Sequence, residues 1–272
     1  MRAVIFLLAF FACALLAAFI AGYVTVLTKS PASATVTISL FITAIFAILL
    51  TIVFTKTINR QPVNSLGFQW HGYQHHALTG ICLGVALLGA GSLVLFATGN
   101  LEWNTIAFPA SDIFIALVLM GVIALAEELV FRGYILNNLM QSMHPWAALT
   151  CSAVLFAVAH ISNPGITSVA TVNLLLAGLL LGINYIYTRN LWFAILFHFS
   201  WNFFQGPVLG YEVSGLPLRS ILQPELKGPW WLTGTSFGFE GSFIATCLFM
   251  GSLILFYTVY TAQYGKPVAA TQ

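Results

Sequence analysis

The chain has 272 residues, of which 60% are hydrophobic and 6% charged, with a mean hydropathy of +0.95 and a formal net charge of +2. Soluble domains carry about 25% charged residues, so the composition excludes an ordinary soluble fold and points to an all-α, polytopic membrane protein. Nine basic residues scattered over the whole length form no basic patch, so no nucleic-acid partner is expected.

Apolar runs long enough to span a bilayer lie at about 3–27, 35–55, 77–97, 113–134, 146–161, 169–188, 190–206 and 243–262. They predict about eight transmembrane helices in a single membrane domain, 1–272, the fifth and seventh being short for a hydrocarbon core of about 30 Å. The first run exceeds the roughly 7–15 apolar residues of a signal peptide and is read as a retained span. Gly80 with Gly84, and Gly178 with Gly182, are small-xxx-small pairs that would let the third and sixth helices pack closely. With the N-terminus inside, Arg2, Lys56, Arg60, Arg189 and Lys266 fall on one side, against Lys29, Arg219 and Lys227 on the other. That bias predicts both termini in the cytoplasm of a cell whose cytoplasmic membrane holds the protein, read here as bacterial.

Between the second and third runs, His71 and His75 would share a helix face and could suggest a metal site. Gly72 weakens that helix, and the flanking Trp70 and Tyr73 favour an interfacial segment. Cys13, Cys82, Cys151 and Cys247 lie in apolar segments without CxxC spacing and read as small buried apolar residues. His144 reads as a solvated turn residue. The 206–242 loop, with Trp230 and Trp231 as interfacial anchors, is either a lid or re-entrant element or a loop lying on the headgroups.

Charged and imidazole side chains inside the predicted spans are few: Glu127, Glu128, Arg132, His160 and His198, with Asn202 one turn beyond His198. Placing a charge in hydrocarbon costs roughly 2.5–3.5 kcal/mol, so each needs a partner and usually has a function. Glu128 and Arg132 are i and i+4, within ion-pair reach and read as a structural pair. Glu127 is rotated about 100° away and left without that partner, as a general base requires. Glu127 lies about 16 residues before the turn at Met143-His144 and His160 about 16 after it, so antiparallel helices bring them to similar depth. The expected site is a polar pocket walled by the fourth, fifth and seventh helices, below the membrane surface.

The motifs Glu127-Glu128-x-x-x-Arg132, Phe156-x-x-x-His160 and His198-x-x-x-Asn202, in that order and followed in the first case by Gly133-Tyr134, resemble the CPBP family. These are the type II CAAX prenyl proteases and their bacterial relatives, including bacteriocin-processing and self-immunity proteins. The resemblance covers about 112–206, a CPBP-like catalytic core, and implies peptide-bond hydrolysis of a membrane-embedded or lipid-anchored, CAAX-like peptide or protein. In one scheme it implies, Glu127 and His160 activate water while His198 and Asn202 stabilise the oxyanion. In the other, Glu127, His160 and His198 ligate zinc. The sequence lacks His-Glu-x-x-His, and no ligand spacing selects the metal scheme. Two readings compete with the protease: a proton- or cation-coupled transporter, disfavoured by the lack of an inverted repeat, and a non-catalytic bacteriocin-immunity protein that binds a peptide.

Overall fold

The structure, a computed structural model, describes residues 1–29 and 32–268. Each apolar run forms a helix: α1 (Arg2–Thr28), α2 (Ala32–Thr57), α3 (Gln74–Ala97), α4 (Ala110–Leu139), α5 (Pro145–Ala159), α6 (Ser168–Thr188), α7 (Trp192–Phe203) and α8 (Phe243–Tyr264). Among the described residues, six of these are long and apolar enough to cross a membrane. The other two, α5 with 15 residues and α7 with 12, are the short ones anticipated. The protein is an all-α polytopic membrane protein with a small two-stranded addition.

The helices are arranged inside out relative to a soluble bundle. In the most apolar window of α6, 61% of residues are buried, against 11% in α1. Thus α6 is the central post, while α1 turns side chains such as Leu15 and Phe19 outward. Such an apolar exterior suits hydrocarbon as its solvent. The cysteines correct the sequence reading: Cys82, Cys151 and Cys247 are exposed on helix faces and Cys13 is half-buried. A thiol is apolar enough to sit against lipid as readily as in a core.

Close helix contacts occur where the glycine pairs stand. A Cβ on Gly80 would lie 2.5 Å from Phe193 O, and one on Gly84 2.2 Å from Ser200 Oγ, so α3 presses directly on α7. A Cβ on Gly178 would lie 2.9 Å from Ala153 Cα, and one on Gly182 2.4 Å from Leu149 Cδ1, joining α6 to α5 in the same way.

Two strands occur where the sequence suggested loops. β1 (Leu101–Ile106) and β2 (Leu222–Leu226) pair antiparallel, Leu101 opposite Leu226 and Ile106 opposite Leu222, with an irregularity between Trp103 and Thr105. Both strands are short, and Pro224 weakens the signal of the second; the partners are far apart in sequence. Lys227 Nζ donates to Glu102 Oε2 at 2.6 Å beside the pairing, and this hydrogen bond is the main cause holding the lysine above its usual pKa. This ribbon, the 160–167 turn and the 209–242 segment gather at one end of the bundle, henceforth the lid end. At the other end, Leu191 N donates to Gly67 O (3.0 Å) and Val268 N to Ile186 O (2.9 Å).

Candidate active site

The α4 helix changes pitch at the charged cluster. It is α-helical from Ala110 to Glu128 and then π-helical over Leu129–Leu136. A π turn leaves carbonyls displaced from their usual partners, and such turns concentrate at functional sites. Here Phe131 O accepts from Ser152 Oγ at 2.8 Å, and Tyr134 O from Asn138 Nδ2 at 2.8 Å.

Glu128 and Arg132 are fully buried and paired, with Arg132 Nη1 2.9 Å from Glu128 Oε1. Arg132 Nη2 donates to Gly178 O at 3.0 Å, and its guanidinium lies 4.7 Å from the Phe156 ring centre. These contacts spread the cation over three helices, the arrangement a buried charge requires. The same Glu128 oxygen accepts from His198 Nδ1 at 2.8 Å. Sequence spacing gave Glu128 a partner on its own helix; the structure adds a second partner on α7.

Glu127 faces the other way. Its Oε2 lies 3.7 Å from His160 Nε2 and 3.9 Å from His198 Nε2 and has no hydrogen-bond partner among the described residues. His160 Nδ1 lies 2.8 Å from Phe156 O. A carbonyl can only accept, so Nδ1 carries the proton, and in the neutral ring Nε2 presents a lone pair toward Glu127. His198 likewise uses Nδ1 against the Glu128 carboxylate and turns Nε2 inward. Asn202 lines the same cavity one turn along α7.

That cavity has a volume of about 240 Å³. Its walls are Glu127, His160, His198 and Asn202 together with Val36 and Leu40 of α2, while Val213–Leu216 close it from the lid end. The expected enclosure by three helices is therefore incomplete: α2 and the 206–242 segment also contribute. His160 is also not inside a helix. It is the C-cap of α5, followed by the turn His160-Ile161-Ser162-Asn163 with Asn163 N on His160 O at 3.0 Å. The helix-ending sequence Asn163-Pro164-Gly165 carried that signal.

Sequence reasoning missed two site groups. Glu240, in a short turn before α8, is buried and accepts from Ser214 N (2.5 Å) and Ser214 Oγ (2.8 Å). Both residues line a narrow recess beside His160, His198 and Asn202. Burial is the largest influence on Glu240 and pushes its carboxyl above the usual range, opposed by the Ser214 bonds and the nearby histidines. Asn173 of α6 ties this turn down, its Nδ2 donating to Glu240 O and Ser242 O, each at 2.8 Å. His71 and His75 lie outside any site and are exposed. It is His76 that is buried, with Asn184 Nδ2 at 3.1 Å. His144 caps α5 by accepting from Trp146 N at 3.3 Å.

Two imidazole nitrogens and a carboxylate oxygen are the donor types of a catalytic zinc site. Their separations here exceed the roughly 3.3 Å edge of a tetrahedral shell with bonds of about 2.0–2.1 Å. As arranged, no group of three or more such side chains among the described residues closes tightly enough to hold a metal. The chemistry of the set suits the ion; its spacing would have to contract by a few tenths of an ångström.

No match is found among curated proteins or among solved structures. The sequence model of the family described as Type II CAAX prenyl endopeptidase Rce1-like matches residues 109–204. That span begins just before α4 and ends just after α7, and it includes Glu127, Glu128, Arg132, His160, His198 and Asn202. Residues 109–204 are therefore similar to the Rce1-like type II CAAX prenyl endopeptidases, a match consistent with the CPBP family of membrane proteases.

Proposed function

We propose that the protein is an intramembrane endopeptidase that uses Glu127 and His160 to activate water. The observation that carries this reading is the 3.7 Å gap between Glu127 Oε2 and His160 Nε2, two acceptors facing each other in the wall of one cavity. A water about 2.8 Å from each, an ordinary hydrogen-bond distance, spans that gap with one hydrogen directed to each acceptor. Glu127 takes one proton as the oxygen attacks the scissile carbonyl. It later returns that proton to the departing amine.

The developing oxyanion needs donors already in place. Asn202 supplies an amide N–H. His198, as imidazolium, donates from Nδ1 to Glu128 and from Nε2 to the oxyanion. A zinc ion bound by Glu127, His160 and His198 would supply the same activation of water by lowering its pKa toward about 7.

The substrate is a membrane-embedded or lipid-anchored peptide, entering a cavity with apolar walls from α2. Phe6 stacks on Tyr134 near the end of α4, and Val268 bonds Ile186 near the end of α6, so both described termini lie opposite the lid end. Taken with the basic residues there, this supports cytoplasmic termini and a site approached from the outer face. The test is cleavage of a quenched fluorescent lipopeptide by purified protein. Glu127→Gln is expected to lower the rate by about 10²–10⁴-fold, the typical worth of a general base, with unfolding temperature unchanged. Near wild-type cleavage in that variant would overturn the reading. Loss of wild-type cleavage on removing metal with a chelator, restored by zinc, would transfer it to the zinc scheme.

A further inference from the structure

A second polar cavity, of about 290 Å³, lies at the end opposite the lid and has no part in the proposed chemistry. It is bounded by the end of α2 (Thr55, Asn59), the following loop (Gln61, Ser65, Leu66), the end of α4 (Asn137, with Gln141 beyond) and Arg189 after α6. Its polar groups are amides, hydroxyls and one guanidinium. Among the described residues, no carboxylate lines it.

The guanidinium is held in position. Arg189 caps α6 in the left-handed conformation (φ 55°), with its N–H on Tyr185 O. The neighbouring backbone is clamped to the 61–69 loop: Leu191 N donates to Gly67 O at 3.0 Å, and Asn190 Nδ2 to Gln69 O at 2.6 Å. A Cβ on Gly67 would stand 2.7 Å from Arg189 O, so the two loops touch backbone to backbone. Arg189 Nη1 donates to Asn137 Oδ1 at 2.6 Å, which fixes the plane of the fork at the cavity wall. A half-buried arginine in a cavity without an acid is a site arranged for an anion, and a planar fork matches phosphate oxygens.

Charge distribution gives the same result independently. All seven acidic residues, Glu102, Asp112, Glu127, Glu128, Glu212, Glu225 and Glu240, lie at the lid end or within the bundle. Five of the nine cations, Arg2, Lys56, Arg60, Arg189 and Lys266, lie at the other end. Among the described residues, the charged side chains at that end are therefore all positive. Juxtamembrane cations attract an anionic leaflet, but diffusely. The cavity adds a defined seat.

We infer that the cavity at Arg189, Asn137, Gln141, Gln61 and Ser65 binds a phosphate oxyanion, supplied by the headgroup of an anionic phospholipid. Arg189 pairs with the phosphate, and the surrounding amides and hydroxyl donate to its remaining oxygens or to the headgroup alcohol. Because the site joins the ends of α2, α4 and α6, an occupied site holds together helices that also carry the lid-end cavity.

The experiment measures lipid retention by native mass spectrometry and unfolding temperature for the full chain. Phosphatidylglycerol, phosphatidylcholine and inorganic phosphate serve as probes. Phosphatidylglycerol is expected to bind about tenfold more tightly than phosphatidylcholine, whose choline cation competes with Arg189 for the phosphate and brings a like charge to the cavity. Arg189→Gln should erase that preference. Since Arg189 also orders Asn137, a second variant, Ser65→Asp, places a carboxylate in the cavity while keeping the arginine, and should erase it too. The double variant Lys56→Gln with Arg60→Gln removes cations outside the cavity and should retain most of it. Stabilisation by inorganic phosphate, equal to that by phosphatidylglycerol and lost in Ser65→Asp, would support the oxyanion seat but overturn the lipid as its source. Equal binding of both lipids without a phosphate effect, or a preference surviving Arg189→Gln and Ser65→Asp, would overturn the inference.

Discussion

His198 Nδ1 stands 2.8 Å from Glu128 Oε1, the oxygen that also accepts from Arg132. Glu128 thus acts on the cavity through His198 and fixes which ring nitrogen points inward. Glu128→Gln keeps an acceptor in place but removes the charge that balances both the arginine and a protonated His198. We expect kcat to fall by about 10²–10³-fold, the loss seen when an oxyanion donor is removed, with KM little changed. A merely structural role would lower the amount of folded protein and leave kcat per folded molecule intact, so active-site titration beside kcat decides the point.

Arg132 is the complementary case. It is fully buried, bonded to Glu128 and Gly178, and set over Phe156. Removing it leaves the Glu128 carboxylate in a dry interior with only His198 for balance. Arg132→Ala should cost about 3–5 kcal/mol, as when one partner of a buried pair is deleted. Thermal unfolding in detergent measures it. Replacing Lys227, whose partner Glu102 is half-exposed, should shift the midpoint hardly at all.

The contrast between α3 and its surroundings yields a packing prediction. The missing side chain of Gly80 leaves room for Phe193 O, a backbone atom that cannot rotate aside. Gly80→Ala should therefore destabilise by about 1–3 kcal/mol through forced separation of α3 and α7. Gly89 and Gly251 have nothing within 4 Å of an added Cβ. Alanine at either should be neutral or slightly stabilising in the same unfolding assay, because it favours the helix.

These outcomes separate what the sequence could convey from what it could not. Hydrocarbon makes every polar group conspicuous, so Glu127, Glu128, Arg132, His160, His198 and Asn202 stand out in apolar runs, and helical spacing alone pairs Glu128 with Arg132. The eight helices follow from run length for the same reason. The Glu128–His198 bond was illegible because it depends on the rotation of α4 and α7 about their own axes, and the π turn beginning at Leu129 follows from no spacing rule. Ser214 and Glu240 were hidden differently. They sit in a segment of ordinary loop composition, where a carboxylate is unremarkable until Asn173 ties its turn down beside the cavity.

Glu240 supplies the pH dependence. Its carboxyl is held above the unfolded-state value of 4.5, chiefly by burial. Between that value and the raised one, the folded state keeps a proton that the unfolded chain has released. Stability is thus greatest below about pH 4.5 as far as this group is concerned and declines as pH climbs to the folded-state value, then levels off. The groups facing it are Ser214, whose two bonds partly offset the effect, and His160 and His198, whose positive charge when protonated does the same. Glu240→Gln retains an acceptor for Ser214 N–H and Oγ–H but cannot ionise. Its unfolding temperature relative to wild type should therefore rise with pH across that interval and become constant beyond it. A difference that is flat with pH would mean that Glu240 releases its proton at the same pH in the folded and unfolded states, contrary to its burial.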